Sequence, residues 1–218
     1  MSHIVHYNEG ELQMFDLQDG EYLIKLARNS MKTYIETGEE IKPPKDAPEK
    51  LTQKCGVFTS LHTLKGNLRG CIGYPEPIFP LIKATIGAAI NAATRDPRFP
   101  PVTLQELDLL LIEVTVLTPP EKIEVEDSKE YPNKIAVGKD GLIVRKDFSS
   151  GLLLPQVAVD WNWDEEQFLT QCCVKAGLPP DQWICDENVE ISKFQAEVFE
   201  ETVPKGQVVK RVLKSITP

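Results

Sequence analysis

The chain reads as an α+β protein in which helices cover a largely antiparallel sheet. Two hairpin-like stretches, "CGVFTSLHTLKGNLRGCIGY" (55–74) and "KIAVGKDGLIVR" (134–145), set β-formers on both sides of glycine-bearing turns. Helical windows lie before, between and after them, with no repeating strand-helix-strand period. With 218 residues, 41% of them hydrophobic, there is material for a substantial core, and one compact unit is the default.

Asp16 or Asp19 caps a first helix reaching about Thr37, because Leu23, Ala27, Met31 and Tyr34 or Ile35 fall on one stripe. "TGEEIKPPKDAPEK" (37–50), rich in proline and charge, then breaks it as a surface loop. Two strands follow around a turn at Lys65-Gly66-Asn67. Pro77 or Pro80 opens a helix whose Leu81, Ile82, Thr85, Ala89, Ile90 and Ala93 suit close packing on a sheet. "RDPRFPP" (95–101) ends it. Thr103 and Glu106 form a capping box for a short helical turn. "DLLLIEVTVLTPP" is next a strand with Ile112, Val114 and Val116 on one side and Glu113 and Thr115 on the other.

The second hairpin turns at Asp140-Gly141, and "GLLLPQV" (151–157) extends as a further strand. Asp164 caps a helix that buries Phe168, Leu169, Cys172, Cys173 and Ala176 and stops at a left-handed Gly177. "VEISKFQAEVFEE" forms a last strand with a bulge near Lys193 or Phe194. In the basic C-terminal segment 205–218, Val208, Val209, Val212, Leu213 and Ile216 recur at helical spacing, so a docked helix with a basic outer face is expected.

Composition narrows the function classes. A net charge of −9 opposes a non-specific nucleic-acid binder, which needs a positive surface. The most apolar window, 81–93, contains Lys83 and is shorter than the roughly 20 residues a bilayer takes, so no membrane span is expected. "MSHIVHYNEG" has no basic and apolar leader pattern, which points to the cytoplasm. Five cysteines without a C-x-x-C pair fit free thiols, with a disulfide involving Cys55 left open. No phosphate-binding loop, dinucleotide fingerprint, H-E-x-x-H or serine elbow occurs, and no cofactor or metal is indicated.

The candidate chemistry sits in "LRGCIG", 68–73. Arg69 and Cys71 are two apart on a strand and leave the same face, where a guanidinium would lower the thiol pKa and favour thiolate. Gly70 and Gly73 would leave main-chain amides open to a ligand. The plainer reading is a buried cysteine in a tightly packed strand. A nucleophile wants a base; His3 and His6 lie at the chain start, leaving His62. A two-residue turn would set His62 opposite Cys71, and a three-residue turn would set Leu61 there. In "RDPRFPP", Asp96 and Arg98 either pair with each other or line a pocket for an anionic group. Gln156 adds a polar group, the three tryptophans read as core or interface, and Cys172 and Cys173 read as packing residues.

In order along the chain, "GVFTSL", "LRGCIGYPEP", "AATRDPRFPP", "ELDLLLIEVTVLTPPE", "GKDGLIV", "GLLLPQVA", "WDEEQFLTQCCVKAGLPPDQW" and "FQAEVFEE" resemble the AMMECR domain family. The resemblance implies one domain over 10–218, with a larger and a smaller subdomain meeting at a cleft near the "LRGCIG" strand. It carries Leu68 to Gly73 and Asp96 to Pro100 as motif residues. At Asp160, family members commonly have glutamate or a similar acid, and His62 matches no family motif. Relatives encoded beside or fused to Memo-like and radical SAM proteins imply a shared modification pathway. Two functions follow: a cytoplasmic module that binds a partner protein or small anionic ligand, or a cysteine-dependent enzyme with Cys71 activated by Arg69.

Overall fold

The computed structural model describes residues 15–186 and 188–211; His3 and His6, and positions 212–218 of the expected C-terminal helix, lie outside them. The first helix, α1 (Leu17–Thr37), begins at Asp16, which accepts the amide of Asp19 while Asp19 accepts that of Asp16. It stops at Gly38, whose φ of 77° lies in the left-handed region that favours glycine. Strands β1 (Gly56–His62) and β2 (Leu68–Tyr74) form the first hairpin, and α2 (Leu81–Thr94) starts after Pro80. A single turn, α3 (Leu104–Leu107), leads into β3 (Leu111–Leu117) and the short β4 (Glu121–Lys122). Then come β5 (Asp140–Lys146), β6 (Ser149–Leu153), α4 (Pro155–Asp160), α5 (Glu165–Lys175), α6 (Gln182–Cys185), β7 (Glu190–Glu201) and β8 (Val208–Arg211).

The sheet is antiparallel throughout these pairings, in the order β2-β1-β3-β7-β5-β6, with β4 and β8 also on β7. The α+β expectation therefore holds. β7 spans the whole arrangement, because Glu190 to Gln195 pair with β5 and Ala196 to Glu200 with β3. A first cluster, including Leu23, Met31, Ile90, Leu61, Ile112, Val114 and Phe199, packs α1 and α2 on one face of β1, β3 and the end of β7. A second, including Leu142, Val144, Phe168, Leu169, Cys172 and Ile191, packs α5 on β5 and β6. Leu117, Ile143 and Phe194, with Phe58 and Ala196 against them, form a third where the two parts of the sheet join. Each such fully buried side chain contributes about 1.5–3 kcal/mol by leaving water.

Four local expectations are corrected. Asp140-Gly141 belong to β5 rather than to a turn; the hairpin closes at Asp147, with φ of 51°, and Gly141 makes room for the Phe194 ring. "GLLLPQV" is split, since Pro155 cannot donate to a ladder and instead opens α4. β7 shows no register shift at Lys193 or Phe194; it changes partners there. Val208 to Arg211 form a strand rather than a helix, because β7 offers them a free edge and Val208 joins the first cluster.

Candidate functional site

Pairing register sets the site. Cys71 lies opposite Ser60, Ser60 opposite Glu113, and Glu113 opposite Glu200, so four polar side chains cross the sheet in one row. Their neighbours Leu61, Ile112 and Val114 point to the first cluster, which leaves this row on the other face. The Ser60 hydroxyl donates to the Cys71 sulfur at 3.2 Å. The loop over 63–67 pairs His62 with Leu68 and a bulge between Leu61 and His62 then pairs Leu61 with Gly70, so neither His62 nor Leu61 stands opposite Cys71. The expected His62–Cys71 dyad is corrected on that register.

"LRGCIG" and "DPRFPP" are joined through backbone and side chain. Asp96, 3% exposed, accepts the Cys71 amide at 2.8 Å. Arg98 donates to both Asp96 oxygens, at 2.9 and 2.6 Å, and to the Cys71 carbonyl at 3.2 Å. These bonds from Arg98, then that from the Cys71 amide, hold the Asp96 carboxyl well below the usual carboxylate range, at about 2. Arg69 grips Glu106 with two bonds, at 2.6 and 3.1 Å, reaches the Pro100 carbonyl at 2.9 Å and lies over the Phe99 ring. Its charge is taken up by that carboxylate, which corrects the expectation that Arg69 activates the thiol. Glu106 is likewise drawn away from Thr103, so the capping box is half formed, with only the Thr103 hydroxyl accepting.

The glycines are explained by packing rather than by open main chain. A Cβ on Gly70 would meet the Ala92 carbonyl oxygen of α2 at 2.2 Å. On Gly73 it would meet the Val57 carbonyl oxygen at 2.3 Å and the Phe58 ring at 2.5 Å. Arg98 is half exposed, but its guanidinium already serves Asp96, so it is not the free anion-binding group expected.

Burial pushes the Cys71 thiol above its ordinary range; the Ser60 hydrogen bond opposes the shift and the nearby Glu113 carboxyl adds to it. Glu113, 6% exposed, is itself raised, chiefly by burial, with His62 and Arg211 opposing and Glu200 reinforcing. Thr115 donates to it at 3.4 Å, and Arg211 approaches to 3.8 Å while pairing with Asp160 at 2.8 Å. A pocket of about 240 Å³ opens here, lined by His62, Leu111, Glu113, Asp160, Glu200 and Arg211 among others. Ser60 and Glu200 carry no signal in the sequence, and Arg211 enters there only as part of the basic C-terminal segment. Glu113 left a trace: an acid inside "LLLIEVTVL", set opposite to the apolar positions.

All five cysteines are free. Among the described residues, no group of three or more His, Cys, Asp or Glu side chains converges as metal ligands do, and no helix is long and apolar enough to cross a membrane.

The family model AMMECR1 matches residues 24–199. Protein PH0010 of Pyrococcus horikoshii is 54% identical over 206 residues, which covers 92% of this chain and 99% of that protein. Protein MJ0810 of Methanocaldococcus jannaschii is 49% identical, covering 93% of this chain and all of its own length. The crystal structure of PH0010, titled an uncharacterized protein, superposes with a TM-score of 0.88 over 92% of this chain and all of that chain. On sequence and on fold alike, the chain belongs to the AMMECR1 family.

Proposed function

We propose that this protein is a binding module whose recognition surface is the sheet face carrying Cys71, Ser60 and Glu113, in a cleft that accepts part of a partner. One observation carries the reading: Arg69 and Arg98, the two arginines of the motifs around Cys71, are both paired with carboxylates, while burial raises the thiol pKa. Nucleophilic cysteines are thiolates, stabilised by a free cation, a helix N-terminus or a metal. Here burial and a neighbouring carboxyl work against thiolate, and both nearby arginines are matched to carboxylates. The "LRGCIG" and "DPRFPP" segments then serve to fix the surface rather than to perform chemistry.

The test is alkylation of the folded chain with iodoacetamide from mildly acidic to alkaline pH, each site followed by mass spectrometry. Cys71 should never outpace the exposed Cys185. Rapid, selective modification of Cys71 at mildly acidic pH would overturn the reading. It would favour the alternative, a cysteine-dependent component of a modification pathway shared with Memo-like and radical SAM proteins.

A further inference from the structure

Resting on the reading of this face as a recognition surface, the pocket around Glu113, two strands across from Cys71, reveals what kind of group it fits. Glu113 is 6% exposed, yet among the described residues its carboxylate has only the Thr115 hydroxyl at 3.4 Å and Arg211 at 3.8 Å. A carboxylate offers about four acceptor positions, so most of its capacity is unfilled where water is largely excluded. Nε2 of His62, which lines the same pocket, is buried without a partner. Gln156, 5% exposed, donates to Thr115 at 3.4 Å and leaves its Oε1 unpartnered. Donation thus runs from Gln156 through Thr115 to Glu113, and the buried capacity left over at Glu113, which lines the pocket, is acceptor capacity.

Charge points the same way. Glu113, Glu200 and Asp160 line the pocket, and Arg211 is the one lysine or arginine among its lining residues. Glu201, the remaining acid there, is matched to Arg28 through two bonds and to the Ile112 amide at 3.0 Å. Asp160 is paired with Arg211 at 2.8 Å, so an anion would meet the incompletely matched Glu113 and Glu200, and an apolar group would leave them unfilled. At about 240 Å³ the space is below the roughly 300–1,000 Å³ of sites for drug-sized ligands and suits the end of a side chain.

We infer that the pocket binds a positively charged nitrogen group, a primary ammonium or a guanidinium, with Glu113 as its anchor. The group comes either on a lysine or arginine of a partner protein or as a small free amine.

The test is an NMR titration of the full chain, following the His62 imidazole and the amides of Leu111 to Glu113. The probes are butylamine, methylguanidine and blocked Gly-Lys-Gly and Gly-Arg-Gly peptides, with acetate and phosphate as anions. Saturable shifts with the cations, weakened about tenfold or more by Glu113→Gln and unchanged by Glu124→Gln at an exposed acid, are expected. Tighter binding of the peptides marks a protein-borne group; tighter binding of the small amines marks a free one. The inference is overturned if the anions shift these signals and the cations do not, if Glu113→Gln binds cations as tightly as wild type, or if every probe is silent. A native-like amide spectrum of Glu113→Gln certifies its fold. Cys71 alkylation is read independently, so failure of the cation site and failure of the binding-module reading are told apart.

Discussion

The carboxylate of Asp96 accepts the backbone N–H of Cys71 at 2.8 Å, and through that bond two segments 25 residues apart become one unit. Among the described residues β2 is the edge of the sheet, where main-chain donors and acceptors have no neighbouring strand. Asp96 takes the Cys71 N–H and Arg98 serves the Cys71 carbonyl, so this side-chain pair supplies both bonds that a further strand would make. The same pair fixes the height and twist of the Cys71 sulfur over Ser60.

Removing Asp96 should therefore cost more than a surface ion pair would. Asp96→Ala leaves the Cys71 amide and the Arg98 guanidinium without their partner, an expected loss of about 2–3 kcal/mol in urea unfolding. Arg98→Ala should cost less, since Arg98 is half exposed while Asp96 is buried. Equal and small effects of both would mean that the pair contributes no more than a solvated contact.

The acid limb of stability follows from the same carboxyl. Its folded pKa of about 2 lies below the unfolded value, so its contribution is complete above the ordinary carboxylate range and is lost as pH falls toward 2. The size is on the order of 1–2 kcal/mol once solvent screening at Arg98 is allowed for. Unfolding free energies measured from neutral to acidic pH should converge for wild type and Asp96→Asn at the acid end. Parallel curves would contradict the assignment.

Much of this arrangement was legible in the sequence, and the gaps have physical causes. Helix ends marked by Asp16, Asp164 and Gly177 are local chemistry and read directly. The faces of β3 also read directly, because a period of two depends on the strand alone. The site did not, since it is a matter of register between strands. A loop over 63–67, longer than either turn expected, together with one bulge beside His62, brings Ser60 rather than His62 to Cys71, and no sequence pattern announces that bulge. Arg69 falls at that bulge, without a partner in β1, and the carboxylate that takes up its charge arrives from α3, 37 residues away. β8 imitates a helix because its valines serve either period, and the open edge of β7 decided the outcome.

Gly70 tests the packing account of "LRGCIG". A methyl at this position would lie 2.2 Å from the Ala92 carbonyl oxygen, so either α2 or β2 must shift. Gly70→Ala should destabilise by about 1–3 kcal/mol, the usual range for overpacking. Gly66 in the adjoining turn has φ of 81° and nothing within 4 Å of its added Cβ, so Gly66→Ala carries only the backbone cost of about 1 kcal/mol. Thermal melts of the two variants give the order, and a reversed order would refute the packing account.

Glu113 gives the test that separates a residue kept for binding from one kept for the fold. Its carboxyl is raised by burial, with Glu200 reinforcing and His62, Arg211 and the Thr115 hydroxyl opposing. A group with a raised folded pKa favours the folded state below its unfolded pKa and loses that contribution as pH rises through the folded value. Where the carboxyl is ionised, the wild type thus bears the burial of an incompletely matched charge. Glutamine has nearly the same shape, no charge, and an amide oxygen that can still accept from Thr115. Glu113→Gln should accordingly be more stable than wild type at neutral pH, by about 0.5–2 kcal/mol, the usual gain when a functional residue is replaced by a comfortable one. The advantage should vanish in acid, where the wild-type carboxyl is protonated and equally neutral. Urea unfolding at the two pH values measures both halves. A variant less stable at neutral pH would show that the approach of Arg211 is a structural ion pair, and the buried acid would then be accounted for without any ligand.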